Sequence, residues 1–232
     1  MKYRVKHIVE YAVMRAVVGL IRRLPYRLAL FVGWSIAWST HHLLRLRVKT
    51  AKARIREVFG DRFSGREVSR IAWLSWRNFL LTAVDLGRLP WITQEWIQLH
   101  VHGWEAAKDL VQKHHATGKG AVLATPHMGA WEVAGVTMQK FDMPIFFLTG
   151  KQKNPLADAY INRLRGSTGI MTIPRASNLL REVIRQLKKG GYLAFLPDVR
   201  AKTDSLRIQF LGKEANVPAG MAVFAYQADV PI

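Results

Sequence analysis

Apolar residues recur along this chain in two different periods, and the change from one to the other falls near residue 97. Before it the spacing is helical. Residues 1–47 are basic and apolar and predict helices broken at Pro25, since proline ends a helix at the residue before it. A helix follows over Val48 to Phe59, then a turn at Gly60-Asp61, then a longer helix from Ser64 or Gly65 to Leu86. Ser64 with Glu67 three residues on has the form of a capping box. Ile71, Leu74, Phe79, Leu80 and Val84 give that helix an apolar face suited to a core. Pro90 closes the block.

From 97 onward short apolar runs alternate with helical stretches. Strands are predicted at Ile97 to Val101, Gly120 to Thr125, Ile145 to Leu148, Ile170 to Ile173, Leu193 to Leu196 and near Leu206 to Phe210. Helices are predicted at Trp104 to His114, Met128 to Phe141, Pro155 to Ser167 and Asn178 to Lys189. This alternation predicts the α/β class: a mostly parallel central sheet flanked by helices, preceded by a helical, membrane-associated amino-terminal segment. The division expected is residues 1–47 for that segment and 48–232 for the α/β domain, with 48–96 as its helical lead-in. Ala228 to Ile232 reads as a strand with no covering helix after it, as in a shortened chain.

Charge changes the picture. The 232 residues carry a formal net charge of +19, a potential that gathers acidic partners. Nucleic acid, anionic lipid headgroups and an acidic carrier protein would all answer to it. Yet the densest basic block lies beside the longest apolar run, Leu28 to Leu44, with Arg22, Arg23 and Arg27 before it and Arg45 and Arg47 after. That arrangement favours an anionic, cytoplasmic membrane leaflet over a nucleic-acid groove, and no nucleic acid is expected. The run is about one membrane-spanning length, but Ser, Thr and two histidines dilute its end, so an interfacial helix is preferred to a spanning one. There is no cysteine, which excludes disulfides and cysteine-bound metal clusters. The histidine pairs lack acids at ligand spacing, and no metal or other cofactor is expected.

The chemistry concentrates in Thr125-Pro126-His127-Met-Gly129-Ala-Trp-Glu132. His127 follows a strand at its carboxyl end, where open α/β sheets place their sites. Within one helix two residues five apart diverge by roughly 140°, so His127 and Glu132 meet only if the histidine sits on the loop before the helix. There an imidazole takes a proton from an alcohol, and a carboxylate fixes its tautomer. The plainer reading is a loop histidine beside a glutamate favoured at a helix start. Gly129 keeps the turn small enough for a substrate to approach, and the amides near it suit an oxyanion. Asp198, after Leu-Ala-Phe-Leu-Pro197, is either a turn opener or a site carboxylate. Arg165 near a helix end either complements the dipole or binds an anion, and Arg200 and Arg175 are weaker anion candidates.

The His127 to Glu132 stretch resembles the His-x4-Asp/Glu motif of glycerolipid-type acyltransferases, in the glutamate form of the lipid A biosynthesis (lauroyl/myristoyl) acyltransferase family. The likeness extends over Arg54 to Pro90, Asn162 to Gly169, Leu-Lys-Lys-Gly-Gly-Tyr-Leu-Ala-Phe-Leu-Pro-Asp198, Gln-Phe-Leu-Gly212 and Pro218-Ala-Gly220. It implies catalysis by His127 with Glu132, and substrate contacts from Arg165, Asp198, Arg200 and Gly129. It also implies an acyl–acyl carrier protein or acyl-CoA donor, a glycolipid acceptor such as a lipid A precursor, and a place on the cytoplasmic face of the inner membrane. A phosphatidylinositol mannoside or an aminolipid is the sibling acceptor. The lysophosphatidate type fits less well, because its usual aspartate is Glu132 here and no Pro-Glu-Gly-Thr block is present. Val199 stands where the family often has Gln or His, and Asn216-Val-Pro-Ala replaces a Thr-rich approach.

Overall fold

Pro25 does divide the amino-terminal stretch, into α1 (Val5–Arg23) and α2 (Tyr26–Trp38), in a computed structural model that describes residues 3–175, 178–199 and 205–232. A π-helical turn, Ser39–Leu43, extends α2, and α3 (Val48–Phe59) and α4 (Gly65–Arg88) follow. The last carbonyls of α1 would be orphaned, and Arg88 of α4 reaches across to donate to those of Ile21 and Leu24. Tyr26 opens α2 with a hydrogen bond of 3.0 Å to Asp85, also on α4. Ile21, Ala29 and Val84 pack beside these polar ties. Among the described residues, no helix is long and apolar enough to cross a membrane. The apolar run from Leu28 changes to the π turn after Trp38, where His41 and His42 pack against Trp73.

Ser64 caps α4 as its sequence predicts: its hydroxyl accepts from the Glu67 amide, and the Glu67 carboxylate accepts from the Ser64 amide. Replacing Ser64 with alanine is expected to destabilise the fold by about 1 kcal/mol, read as a lower urea midpoint with an unchanged slope.

After α4 come α5 (Gln94–His100), α6 (Trp104–His115), β1 (Ala121–Ala124), α7 (Trp131–Lys140), β2 (Ile145–Thr149) and α8 (Pro155–Gly166). The chain continues through β3 (Met171–Pro174), α9 (Leu179–Lys188), β4 (Tyr192–Phe195), β5 (Ser205–Phe210), β6 (Lys213–Pro218) and α10 (Gly220–Ala228). The strand expected at Ile97 to Val101 is helix α5. The Thr93 side chain accepts from the Trp96 amide and starts it, and Ile97 then points wholly into the core.

The central sheet is parallel, in the order β1-β4-β2-β3. Neighbouring residues on its strands fall into separate cores, as a period of two requires. Ala121, Ile145, Phe147 and Tyr192 join a cluster with Ile97, Val133 and Val136. Val122, Phe146, Leu193 and Phe195 join another with Val183, Leu187 and Phe224. Helices thus cover both faces: α5 and α7 on one, α9 and α10 on the other. The helix α1 lies against α8, where Val18 packs on Tyr160 and Leu164, and Asn154 donates to the His7 carbonyl at 2.9 Å.

Two features depart from the expected alternation. The strand at Leu206 to Phe210 exists, but it pairs with β6 as an antiparallel hairpin in a sheet of its own. Its two-residue turn, Leu211-Gly212, has φ of +50° and +74°, the left-handed pair that matches strand twist. The expected strand at Ala228 to Ile232 is instead the end of α10 followed by an irregular tail. Asp229 turns left-handed (φ +54°) and stops the helix. The Pro231 carbonyl accepts from Val122 at 2.9 Å, but proline has no amide with which to continue a ladder.

Candidate active site

Two strand ends that lie side by side build the site. Ala124 of β1 is in register with Phe195 of β4, and each strand then runs into an X-Pro step, Thr125-Pro126 and Leu196-Pro197. His127 and Asp198 are therefore both three residues beyond a paired position, at the carboxyl ends of adjacent parallel strands. The His127 ring Nδ1 lies 2.7 Å from Asp198 Oδ1, and the His127 amide donates to Oδ2 at 2.7 Å. One carboxylate holds both the backbone and the ring of the histidine.

Burial by itself raises the Asp198 carboxyl, but the hydrogen bonds from the His127 ring and amide outweigh it, and the group sits below its ordinary 3.8. A depressed carboxyl contributes its stabilisation above the unfolded value and loses it as pH falls through the folded one. At neutral pH Asp198 is thus a carboxylate that only accepts. Nδ1 then carries the proton in a neutral ring, and Nε2 is left as the base.

Glu132 sits in the first turn of α7, as expected, but its carboxylate has a different partner. Arg165, near the end of α8, donates from Nε to both oxygens at 3.2 Å and from a terminal nitrogen to Oε1. The Glu132 side chain is 4% exposed and that of Arg165 20%, so this is a bidentate ion pair with a buried carboxylate and a partly buried guanidinium. The hydrogen bond expected between His127 and Glu132 is not the pairing found. His127 sits on the loop before the helix, but its ring is claimed by Asp198 and the glutamate is claimed by Arg165. His127 and the Glu132–Arg165 pair nonetheless meet at one cavity of about 620 Å³, lined also by Trp131, Gln152 and Arg175 among others.

Trp131 packs against the His127 ring at 5.1 Å between centroids and 76° between planes. Gly129 holds φ at +63°, which favours glycine, and its carbonyl accepts from the buried Thr82 hydroxyl at 3.0 Å. Thr82 shares that proton with the Asn78 carbonyl within α4. The loop that carries His127 is thereby tied to the longest helix. Of the amides expected to face an oxyanion, that of Met128 is already donated to Pro126. Arg200 lies outside the described residues.

Sequence reasoning missed Thr82, Trp131 and the pairing of Asp198 with His127. A hydroxyl among Leu80, Leu81, Ala83 and Val84 was the available sign for Thr82. Two X-Pro steps, each ahead of a titratable residue at a strand end, were the sign for the pair.

A second cavity, of about 970 Å³, adjoins the first. Thr125 and Pro218 line both, while Asp198 faces the second. Its walls are chiefly apolar, from Leu206, Ile208, Phe210, Val217 and Met221.

Against this geometry, a model of the family described as bacterial lipid A biosynthesis acyltransferase matches residues 1–232. A phosphatidylinositol mannoside acyltransferase of Mycolicibacterium smegmatis (strain ATCC 700084 / mc(2)155) is 26% identical over 160 residues, covering 66% of this chain and 48% of that protein. The chain thus spans about half the length of the curated relative it matches.

Proposed function

The chain belongs to the bacterial lipid A biosynthesis acyltransferase family, and on that premise we propose that it moves a fatty acyl group from a thioester donor to a hydroxyl of a glycolipid. Nε2 of His127 takes the hydroxyl proton as the alkoxide oxygen bonds to the thioester carbonyl carbon. The tetrahedral intermediate then collapses with loss of the C–S bond, and the imidazolium returns its proton to the departing thiolate. Asp198 positions the ring through Nδ1 and stabilises the imidazolium. Glu132 acts one step further out, fixing the Arg165 guanidinium at the cavity wall, where it faces the developing oxyanion. The observation that carries this reading is His127, held by Asp198, opening on a cavity that also contains the Glu132–Arg165 pair.

The donor is acyl–acyl carrier protein, with acyl-CoA as the other thioester of the same chemistry, and the acceptor is a hydroxyacyl chain of a lipid A precursor. The basic balance of the chain suits an acidic carrier and a phosphorylated acceptor alike. The mannoside acyltransferase relative supports a second acceptor class, another glycolipid sugar hydroxyl. The site works at the anionic cytoplasmic leaflet of the inner membrane. Supporting that placement, Phe31, Trp34 and Trp38 of α2 and Leu43, Leu44 and Leu46 after it are solvent-exposed beside Arg45 and Arg47.

The test is transfer in vitro with each donor and each acceptor, read by mass spectrometry of the extracted lipid. The expected result is one added acyl group on the phosphorylated lipid A precursor. Acylation of a phosphatidylinositol mannoside alone would move the assignment to the second class. No added mass on any acceptor would overturn the reading.

A further inference from the structure

We propose that the two adjoining cavities divide the substrates: the hairpin cavity takes the hydrocarbon chain of the acyl donor, and the cavity around His127 and Arg165 takes the hydroxyl-bearing acceptor. This deepens the acyl-transfer reading and rests on it.

The hairpin itself argues for an apolar occupant. Leu206, Ile208 and Phe210 recur at every second position of β5 and so share one face, and Arg207 and Gln209 share the other. Val217 and Ala215 lie opposite Leu206 and Ile208 in register, which carries the apolar surface onto β6. Met221 of α10 closes one side. Leu206 and Phe210 are 50% and 60% exposed, an apolar patch left open to solvent beside the reactive pair.

Charge decides which substrate belongs there. Among the described residues, the hairpin cavity is lined by three carboxylate side chains, Glu57, Asp198 and Glu214, and by no lysine or arginine. A phosphorylated acceptor is repelled by such a wall, whereas an uncharged hydrocarbon chain is not. The cavity around His127 carries two arginines against one carboxylate: Arg165 is paired with Glu132, and Arg175 and Gln152 line the same wall for anionic and polar groups. Thr125 and Pro218 border both spaces, with His127 facing one and Asp198 the other. A thioester carbonyl at that border meets a hydroxyl held on the Nε2 side without either substrate crossing the other.

The experiment fills the hairpin cavity from its floor with Ala215→Phe, a residue that suits a strand, and checks folding by thermal melting. Steady-state transfer is then measured with a graded series of saturated acyl thioesters. The expected result is a shift of the optimum to shorter chains, with kcat/KM for the longest donor down about tenfold or more and KM for the acceptor unchanged; excluding each methylene is worth roughly fourfold. An unchanged donor profile with a raised acceptor KM would place the acceptor's chains there and overturn the proposal, as would no change in either.

A binding arm needs no turnover. A fluorescent polyene fatty acid is titrated into His127→Ala and into His127→Ala with Ala215→Phe, with saturated fatty acids as competitors. Binding by the first protein that tightens with chain length and is lost in the second is expected. Equal binding by both, or by neither, would overturn the assignment. Fatty-acid binding without transfer to any acceptor would instead separate failure of the acyl-transfer reading from failure of this one.

Discussion

His127→Ala is expected to lower acyl transfer by about 10²–10⁴-fold, the usual worth of a positioned general base. The ring is half-exposed and its hydrogen bonds run to Asp198, so its removal leaves no buried orphan and the fold should melt near the wild-type temperature. Asp198→Asn separates orientation from basicity. An amide can present its NH2 group toward Nδ1 and so favour the wrong tautomer, and a loss on the order of 10²-fold in kcat with little change in KM is expected. Because the same carboxylate also accepts from the His127 amide, a purely structural role would give a lower melting temperature as well. The discriminating readout is ¹⁵N NMR of the imidazole. In the wild type the proton should reside on Nδ1; in Asp198→Asn it should redistribute toward Nε2. An unchanged tautomer with full turnover in the Asp198→Asn variant would remove Asp198 from the mechanism.

What the sequence made legible divides along physical lines. Helices with strong local signals were readable: the Pro25 break and the Ser64–Glu67 capping box are decided within a few residues. The four parallel strands were readable too, because the inner strands β2 and β4, largely buried on both faces, appear as continuous apolar runs, and short apolar runs mark β1 and the more exposed edge strand β3 as well. The helix α5 was mistaken for a strand because five residues around Ile97 are too few to separate the two periods. The weight of the Thr93 cap was missed there. The hairpin was only half seen, since the alternation in β6 (Lys-Glu-Ala-Asn-Val-Pro) rests on just Ala215 and Val217 between polar residues, with a proline at its end.

The site followed the same division. That His127 stands on a loop at a strand end was legible, as was the place of Glu132 in the first turn of the next helix. The partners were not. His127 and Asp198 are 71 residues apart, and Arg165 and Glu132 are 33 apart. Only the order β1-β4-β2-β3, which inserts β4 beside β1, brings the first pair together. A five-residue spacing invited a local pairing, and the sheet order supplied a non-local one. The cation beside Glu132 completes the exchange: a carboxylate already chelated by a guanidinium has little reason to turn toward a ring that has its own acid.

The ion pair should be the more fragile part of the site. Glu132→Ala leaves the Arg165 guanidinium largely buried without its counter-charge, a change expected to destabilise the protein by about 3–5 kcal/mol. For a domain of this size that corresponds to a fall in melting temperature of roughly 6–20 °C. Restoring packing without charge, by Glu132→Leu together with Arg165→Met, should recover most of that stability, since well-packed apolar replacements of a buried pair are often neutral. Turnover then distinguishes two roles for the glutamate. If it serves only to hold the wall, the double variant should transfer acyl groups at a rate near wild type. If the pair acts on the reaction, by aiming a cation at the oxyanion, the double variant should be stable yet slow. Stable and slow is the outcome expected, with kcat reduced on the order of 10²-fold and KM for the thioester donor little changed. Thermal melting and steady-state kinetics on the same preparations check both halves, and a stable double variant with undiminished kcat would confine Glu132 and Arg165 to the fold.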